Sequence, residues 1–532
     1  MSGIFLTLNK MQRNTLLLID LSENLNFEEK NKEFIYLNKG NIRLNNCKQI
    51  KLKDFVSLRK KIYSNFIKKL KKFILLNEKK NFFLSEMEIF NLRNDRYDFP
   101  DRILNYLIIK ELISKKKFKK VKIISDNKVT LKIFDNLNVE IEKKNLSKFD
   151  LKFRLPHLKI IKFLIKAMIL VFYCKLSKFK KKEKSEKNTF YLSLYPNKYF
   201  YGKENFFEKK NNICNFLMSD ETHLNFNLRK LLHFAKVTSE KNVVNVEQYI
   251  EVSDIFLLML KHLYNILTFK NLRKMEINLQ GLDLKEVLND IYIGSYINRS
   301  KLEVYSKAIP RFLGANKVSN FKLYLFEYSF GYFLIRTIKE FSNKIKISGY
   351  QHGLFSNNLM WFDLIKSLKY KKIYTPDEIY CLNKYCLKDY KLKYKNTKVS
   401  IINFEKKKRN YDFINCIKIK KKTNRVLILS GLHDVKDLYL YAKNTLNFDK
   451  KDIFYFKLHP KNKFNFISDA KIKKINNFEK KTFSKVIVSQ TSSLSFDFLS
   501  LKRNFSVIDF DYKQNYISTY LNKNKNINFL KN

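Results

Sequence analysis

Four short segments carry side chains that could bind or transfer a phosphorylated group. Each follows an apolar run that predicts a buried strand, and in chain order they are Gly349–Gly353 (GYQHG), Gly431–His433 (GLH), Lys457–Pro460 (KLHP) and Gln490–Ser493 (QTSS). A histidine can accept a proton near neutral pH, a lysine can neutralise phosphate charge, and hydroxyl and backbone N–H groups can bind phosphate oxygens. The four segments therefore predict a transferase site built from loops that follow strands.

The first segment places His352 between two glycines, in a chain that has only 10 of them. Glycine lets the backbone turn sharply and approach a ligand closely, and a histidine at a strand end is suited to general-base work. A structural role is the alternative for a lone histidine. The flanking residues Gly349 and Gly353 favour the catalytic interpretation.

The other three segments contain the residues that we expect to bind phosphate groups. Gly431 stands in a turn that could present N–H groups to a phosphate, although an ordinary strand-to-helix turn is the alternative. Lys457 and His459 could hold a diphosphate or could merely end a strand. The three hydroxyl residues precede a predicted helix, where capping would explain one hydroxyl but not all three. The residues concerned are Gly431, Lys457, His459, Thr491, Ser492 and Ser493.

Strand-like and helix-like segments alternate along the chain, which predicts parallel sheets with crossover helices. We expect two Rossmann-like α/β lobes, with an N-terminal lobe over residues 1–404, a basic linker over 405–424 and a C-terminal lobe over 425–532. Ligands of such folds bind at the carboxyl ends of the strands, so the four segments would face a deep cleft between the lobes. The region 223–310 is expected to be mostly helical.

The charge balance predicts a polyanionic neighbour, with a lysine-rich composition imposed by an AT-rich genome as the alternative. The chain has 106 Lys and Arg residues against 50 Asp and Glu residues, a net charge of +56, which suits an anionic membrane surface or nucleic acid. Residues 155–184 predict a basic amphipathic helical insertion, in which Ile161, Leu164, Ile165, Met168 and Phe172 share a face. Such a helix would lie in a membrane interface; a surface helix packed on its own domain is the alternative. Its longest uncharged run is too short to span a bilayer.

Cysteine and metal chemistry are disfavoured. The six cysteines form no CxxC pair and no disulfide framework, which fits a reducing cytosol. The chain shows no convincing signal peptide. The Asp509–Asp511 segment (DFD) follows the last predicted strand, where we expect it to end the strand and not to bind a metal. We therefore expect no metal and no cofactor.

The order of the motifs resembles GT-B-fold transferases of bacterial surface polymers. The carrying residues are "HG", then "K-x-HP", then "S-Q-T-S-S-L-S-F-D-F-L", over roughly residues 320–515. That group includes the CDP-glycerol glycerophosphotransferases and the polysialyltransferase-like enzymes. The "YQHG" segment with its downstream "PD" is also similar to glycosyltransferase-like proteins of surface-carbohydrate clusters. The chain departs from the pattern at Asn504, where proline is usual, and at Ser489–Thr491 (SQT), where an acidic residue is usual before the threonine.

The resemblance implies a role for each motif. His352 would be the catalytic base, Glu327 upstream of it would be a second catalytic residue, and Gln351 and Gly353 would form the acceptor-side loop. Lys457 and His459 would neutralise the departing diphosphate. Ser492 and Ser493 would bind its oxygens, and the C-terminal lobe, with Gly431 and Thr491 among its donor-binding residues, would hold the donor nucleotide.

Three functions compete on these grounds. The first is a metal-independent glycosyltransferase that moves a sugar from a nucleotide-sugar donor to a lipid-linked or polymeric glycan. The second is a CDP-polyol-dependent polyol-phosphate transferase, which would use the same serines and histidines. The third is a non-catalytic basic protein that binds polyanions, although no nucleic-acid module is recognised and a nucleic-acid partner is disfavoured. We expect a cytoplasmic protein on the inner face of the cell membrane.

Overall fold

The structure of the chain is a computed structural model. The structure describes residues 15–21, 28–30, 32–37, 43–78, 99–135, 137, 140–145, 156–178, 187–195, 213–219, 228–240, 242–267, 278–279, 282–283, 301–324, 326–327, 329–351, 355, 375–402, 405–448, 451–459, 462, 464–466, 468–476, 481–510 and 524–531.

The first sheet is formed by the N-terminal part of the chain. The strands of this part are β1 Thr15–Asp20, β2 Glu28–Lys30, β3 Glu33–Tyr36, β4 Arg43–Asn45, β5 Lys48–Gln49, β6 Lys120–Ser125 and β7 Glu140–Asn145. The helices are the 3-10 helix Leu52–Asp54, α1 Val56–Glu78, α2 Phe99–Lys116 and α3 Lys128–Phe134. The sheet has the order β5-β3-β1-β6-β7 with every pair parallel, and β2 pairs with β4 beside it.

The second sheet has seven parallel strands in the order β10-β9-β8-β13-β14-β15-β16. The strands of this part are β8 Thr189–Tyr195, β9 Ile213–Ser219, β10 Val243–Asn245, the antiparallel pair β11 Asn278–Leu279 and β12 Leu282–Asp283, then β13 Asn320–Tyr324, β14 Lys346–Tyr350, β15 Glu378–Cys381 and β16 Lys398–Ile401. The helices are α4 Pro156–Lys178, α5 Leu228–Thr238, the 3-10 helix Val246–Tyr249, α6 Val252–Leu267, α7 Lys301–Ala315, α8 Ser329–Phe341 and α9 Lys384–Lys393.

The third sheet has six parallel strands in the order β20-β19-β18-β22-β23-β24. The strands of this part are β17 Lys418–Ile419, β18 Arg425–Leu429, β19 Ile453–Lys457, β20 Ile472–Lys474, β21 Thr482–Phe483, β22 Lys485–Val488, β23 Phe505–Asp509 and β24 Ile527–Lys531, with β17 paired to β21. The helices are α10 Glu405–Asn415, α11 Val435–Phe448 and α12 Leu494–Ser500.

The three sheets share one winding pattern. In each, the first strand lies in the interior, the next two extend outwards on one side, and the chain then crosses to the other side. This is the doubly wound order of Rossmann-like folds, and it creates a switch point beside the first strand. The switch points lie between β1 and β6, between β8 and β13, and between β18 and β22. The predicted α/β class is confirmed.

The interior strands are mostly apolar because both faces of each sheet are covered. In β18, Val426 and Ile428 belong to one buried cluster, whereas Leu427 and Leu429 belong to another. Successive side chains of a strand point to opposite faces, so a sheet with helices on both sides needs an unbroken apolar run. The cores of the runs TLLLID and RVLIL meet this requirement, whereas KVKIIS has the partly buried Lys122 between its apolar residues.

The structure adds detail to the sequence prediction in three places. Residues 1–404 contain two parallel sheets, of five and seven strands. The described part of the region 223–310 is mostly helical, as predicted, and also holds the short strands β10, β11 and β12. The basic segment 405–424 contains α10 and β17. The strand predicted at 81–86 lies outside the described residues.

The helix predicted over 155–184 is confirmed at Pro156–Lys178. It precedes β8, and one of its faces is buried through Ala167, Leu170 and Cys174 in the cluster that covers the second sheet. None of the helices in the described part of the chain is long and apolar enough to cross a membrane.

Gly349 allows close packing in the middle of the second sheet. A Cβ atom at this position would lie 2.8 Å from the Phe326 ring and 2.9 Å from Pro376 Cγ. We therefore predict that Gly349→Ala lowers the free energy of unfolding by about 1–3 kcal/mol, since the neighbours must move. Chemical denaturation of the purified chain measures this change.

Gly314 provides the matched control. It lies in α7, where a Cβ atom would meet only Phe341 Cζ at 4.0 Å. Gly314→Ala should be neutral or stabilise by up to about 1 kcal/mol, because alanine is the better helix former. Equal effects at the two glycines would contradict the packing argument for Gly349.

Candidate functional site

Two of the predicted segments meet at the switch point of the third sheet. Asp434, which directly precedes α11, accepts a hydrogen bond from the Gly431 amide at 3.1 Å and another from Ser489 Oγ at 2.5 Å. Ser489 Oγ also accepts from the Thr491 amide at 3.0 Å and lies 2.9 Å from Thr491 Oγ1. The loops after β18 and β22 are therefore joined by one buried carboxylate.

Gly431 is required by this junction. A Cβ atom there would overlap the hydroxyl oxygens of Thr491 and Ser489 and would lie 2.9 Å from Asp434 Oδ1. Its amide is already donated to the carboxylate, so the glycine shapes the loop by letting the two segments touch. The sequence predicted a different role for Gly431, in which its turn offers N–H groups to a phosphate.

The segment after β19 lies beside the same junction. The Ser430 amide donates to the Lys457 carbonyl at 3.1 Å, and Asn462 Nδ2 donates to the Leu432 carbonyl at 3.0 Å. Lys457 Nζ donates to the Asn476 carbonyl at 2.6 Å, and His459 is partly exposed. All three predicted segments of the third sheet thus gather at its carboxyl edge.

Capping of helix α12 does not occupy all of the hydroxyl groups that precede it. Ser492 Oγ accepts a long bond from the Leu494 amide at 3.3 Å, and Ser493 makes no side-chain capping bond. Both side chains are partly exposed at the edge of the sheet. They remain available to a ligand, whereas Thr491 contributes to the buried junction.

Glu327 lies at the switch point of the second sheet. It is buried immediately after β13 and is 3 % exposed. Burial raises the pKa of Tyr394; its hydrogen bond with Tyr332 lowers it, and the negative charge of Glu327 raises it by a smaller amount. The phenol therefore stays neutral beside the glutamate.

Gln351 is fully buried. Its amide donates to the Tyr380 carbonyl at 2.9 Å, its Oε1 accepts from the Leu382 amide at 3.0 Å, and its Nε2 lies 3.1 Å from Cys386 Sγ. His352 and Gly353 lie outside the described residues. Phe355, on their other side, stacks on Tyr390 of α9 at 3.5 Å between ring centroids. Both described neighbours of the histidine are thus anchored at α9 or at the loop before it.

Helix α9 also lies close to α12 of the third sheet. Phe496 lies 6.5 Å from the Tyr385 ring, and Asp497 accepts from Asn410 Nδ2 of α10 at 2.7 Å. Burial raises the pKa of Cys386 strongly; the hydrogen bond from Gln351 lowers it, while the nearby charges of Asp389 and Asp497 raise it. The start of α9 is consequently where the Gln351 segment and the hydroxyl-containing segment approach each other.

The switch point of the first sheet is filled by the protein's own charges. Arg102 of α2 pairs with Asp20 at 2.6 Å, Ser125 Oγ donates to the same carboxylate at 3.0 Å, and Arg102 also bonds to Thr130. A buried pair of this kind is costly to break. It closes this edge of the first sheet in a way the sequence did not indicate.

Sequence reasoning missed two residues that organise the candidate site. Asp434 could have been found as an acidic residue directly before a predicted helix, three positions after the glycine. Cys386, by contrast, carries no local signal, because its contact with Gln351 joins positions 35 residues apart. No cluster of three or more potential metal ligands occurs within the described ranges.

No family model matches this chain, and no curated protein or solved structure matches it either.

The junction predicts a specific coupling between Gly431 and Thr491. Gly431→Ala should lower the free energy of unfolding by about 1–3 kcal/mol through overlap. Thr491→Ala makes room for the added methyl group, so the double variant should be more stable than the sum of the single changes by about 0.5–3 kcal/mol. Denaturant unfolding of the four proteins completes the cycle. Additive effects would refute the proximity of the two loops.

Proposed function

We propose that the chain is a GT-B-type glycosyltransferase. It moves a sugar from a nucleotide-sugar donor to a lipid-linked or polymeric surface glycan. The third sheet and its loops bind the donor, and the carboxyl edge of the second sheet binds the acceptor. In this arrangement the two sheets are the two lobes of the enzyme and the reaction takes place in the cleft between them.

One observation carries this proposal. The segments singled out by their chemistry lie at the carboxyl edges of two doubly wound sheets, where ligands of such folds bind. On the third sheet, three segments are held together through Asp434, Asn462 and the Lys457 carbonyl. On the second, Glu327 follows β13 and Gln351 follows β14. A pattern of loops that served only to connect strands would not need these contacts.

The proposed reaction assigns a proton and a leaving group. His352 takes the proton of the acceptor hydroxyl as the acceptor oxygen bonds to the anomeric carbon of the sugar. The bond between that carbon and the donor phosphate oxygen breaks, and the nucleoside diphosphate leaves with the electron pair. Glu327, which is buried after β13, is the second catalytic residue of the proposed mechanism.

Residues at the carboxyl edge of the third sheet stabilise the negative charge that develops on the leaving diphosphate. Lys457 and His459 supply positive charge or donors, and Ser492 and Ser493 supply hydroxyl groups. Preorganised donors of this kind contribute much of an enzyme's rate acceleration. Gly431 and Thr491 act indirectly, because they keep the loops after β18 and β22 in contact. The second acceptor-loop residue, Gly353, gives the backbone beside His352 its freedom to approach the substrate.

A nucleotide panel tests the donor site. CDP, CMP, UDP, GDP and dTDP are added separately and the thermal unfolding midpoint is recorded. We expect one nucleotide to stabilise the protein, by about 2.7 kcal/mol at 100 times its Kd. His459→Ala should reduce this stabilisation, since the diphosphate loses a partner. Lys485→Ala, an exposed lysine at the opposite, amino end of β22, should leave it unchanged.

The panel also discriminates between the competing functions. A response to CDP or CMP alone would favour a CDP-polyol donor and a polyol-phosphate transfer. No response to any nucleotide, together with tight binding of a generic polyanion such as heparin, would contradict the enzyme proposal and favour a polyanion-binding protein.

The catalytic assignment is tested with the donor class that the panel identifies. His352→Ala should lower the rate of nucleotide release from the nucleotide-sugar by about 10²–10⁴-fold, the usual contribution of a general base. The nucleotide-dependent thermal shift should persist. His157→Ala, at the start of α4, provides a histidine control with normal rates. Loss of nucleotide binding in His352→Ala would instead place the histidine in the donor site.

A further inference from the structure

Three neighbouring helices expose large apolar side chains. In α4 these are Ile165, Met168 and Phe172, in α5 Leu228 and Leu232, and in α6 Phe256, Leu257 and Leu260. Their exposed fractions lie between 46 % and 68 %. Helix α4 packs against both α5 and α6, so the three groups occupy adjoining helices. We call these eight side chains the α4–α6 apolar surface.

The exposed stripe of α4 points away from the protein. Ile169 and Tyr173 of α4 pack with Leu231 and Phe234 of α5, and a second set on α4, represented by Leu170, belongs to the main core. At 100° per residue, the stripe of Ile165, Met168 and Phe172 lies opposite Leu170 and about a quarter turn from Ile169 and Tyr173. The core therefore uses mainly the other faces of the helix, and the stripe remains about half exposed.

Helices α5 and α6 repeat this arrangement. In α5, Leu231 is buried whereas Leu228 and Leu232, four residues apart, are exposed. In α6, Ile255 and Leu258 are buried whereas Phe256, Leu257 and Leu260 are exposed. Residues spaced by three or four positions lie on one helix face, so each helix presents an apolar face outwards.

The charges around this surface indicate what covers it. The three helices carry Lys or Arg at five positions in α4, three in α5 and one in α6. Their single acidic residue, Asp254, is buried and paired with Arg311 and Lys307. Among the basic side chains, Lys175, Lys178, Arg229 and Lys236 are exposed. Within the three helices the exposed charged side chains are cations, whereas Glu240 and Glu251 are exposed just after α5 and just before α6. Apolar side chains combined with exposed cations complement the interface of an anionic bilayer.

We propose that the α4–α6 apolar surface docks onto an anionic membrane. The apolar side chains enter the boundary between headgroups and acyl chains, while the lysines and arginines contact anionic headgroups. The sequence predicted a membrane contact for α4 alone; the structure adds α5 and α6. This inference does not depend on the transfer reaction.

Vesicle flotation of the full-length protein tests the surface. Vesicles of phosphatidylcholine with phosphatidylglycerol are compared with vesicles of phosphatidylcholine alone. Wild type should bind the anionic vesicles more tightly, and less so when salt rises from about 0.1 M to 0.5 M. The triple variant Met168→Glu/Leu232→Glu/Leu260→Glu has one change on each helix. It should bind the anionic vesicles at least about tenfold more weakly than wild type.

A matched triple variant controls for added charge. Phe341→Glu/Ile401→Glu/Ile419→Glu changes three exposed apolar residues elsewhere and should retain binding to within about twofold. Leu232→Glu alone should weaken binding severalfold, because α5 takes part. Thermal unfolding verifies that each variant is folded.

Three outcomes would overturn the proposal. The first is equal vesicle binding by wild type and the α4–α6 triple variant. The second is an effect of Met168→Glu alone, with none from Leu232→Glu or Leu260→Glu, which would restrict the contact to α4. The third is a wild-type dimer that the triple variant converts to monomers without change in vesicle binding, which would make a second copy of the chain the occupant.

Discussion

Parallel pairing of strands is the constraint on which the rest of this structure depends. Parallel strands must return through crossover connections, so every strand leaves its carboxyl end at the same edge and each sheet is covered on both faces. The first consequence is the long apolar runs of β1 and β18. The second is that all loops after strands gather at one edge, which explains why segments far apart in sequence meet at the switch point between β18 and β22.

The loops at this edge are braced by buried polar contacts. Asp434 is almost fully buried, yet its carboxylate accepts bonds from the loops after both β18 and β22. Burying a charge without partners is expensive, so the junction is stable only while both loops are in place. Helix α9 serves the same purpose between sheets, because Gln351 bonds to Cys386 and Phe496 packs near Tyr385. The candidate site is thus preorganised by contacts behind it.

The second sheet links this edge to a different kind of surface. The inner face of α4 belongs to the same buried cluster as β13 and β14, the strands that place Glu327 and Gln351. An enzyme that takes a water-soluble donor and a lipid-linked acceptor needs both a polar site and a surface for the bilayer. The proposed function and the proposed docking surface fit this requirement, although each rests on its own observations.

Local pattern was enough to predict the α/β class, most of the longer strands and the helix at Pro156–Lys178, because unbroken apolar runs and helical periodicity are short-range properties. It was also enough to find the loops that contain Lys457 and Ser492. Short edge strands such as β10 lack that signal. The division of residues 1–404 between two sheets was decided only by tertiary structure, since strand pairing joins distant segments. The same holds for the Gly431–Asp434–Ser489 junction, the inward turn of Gln351 and the outward apolar faces of α5 and α6, because burial depends on what packs against each residue.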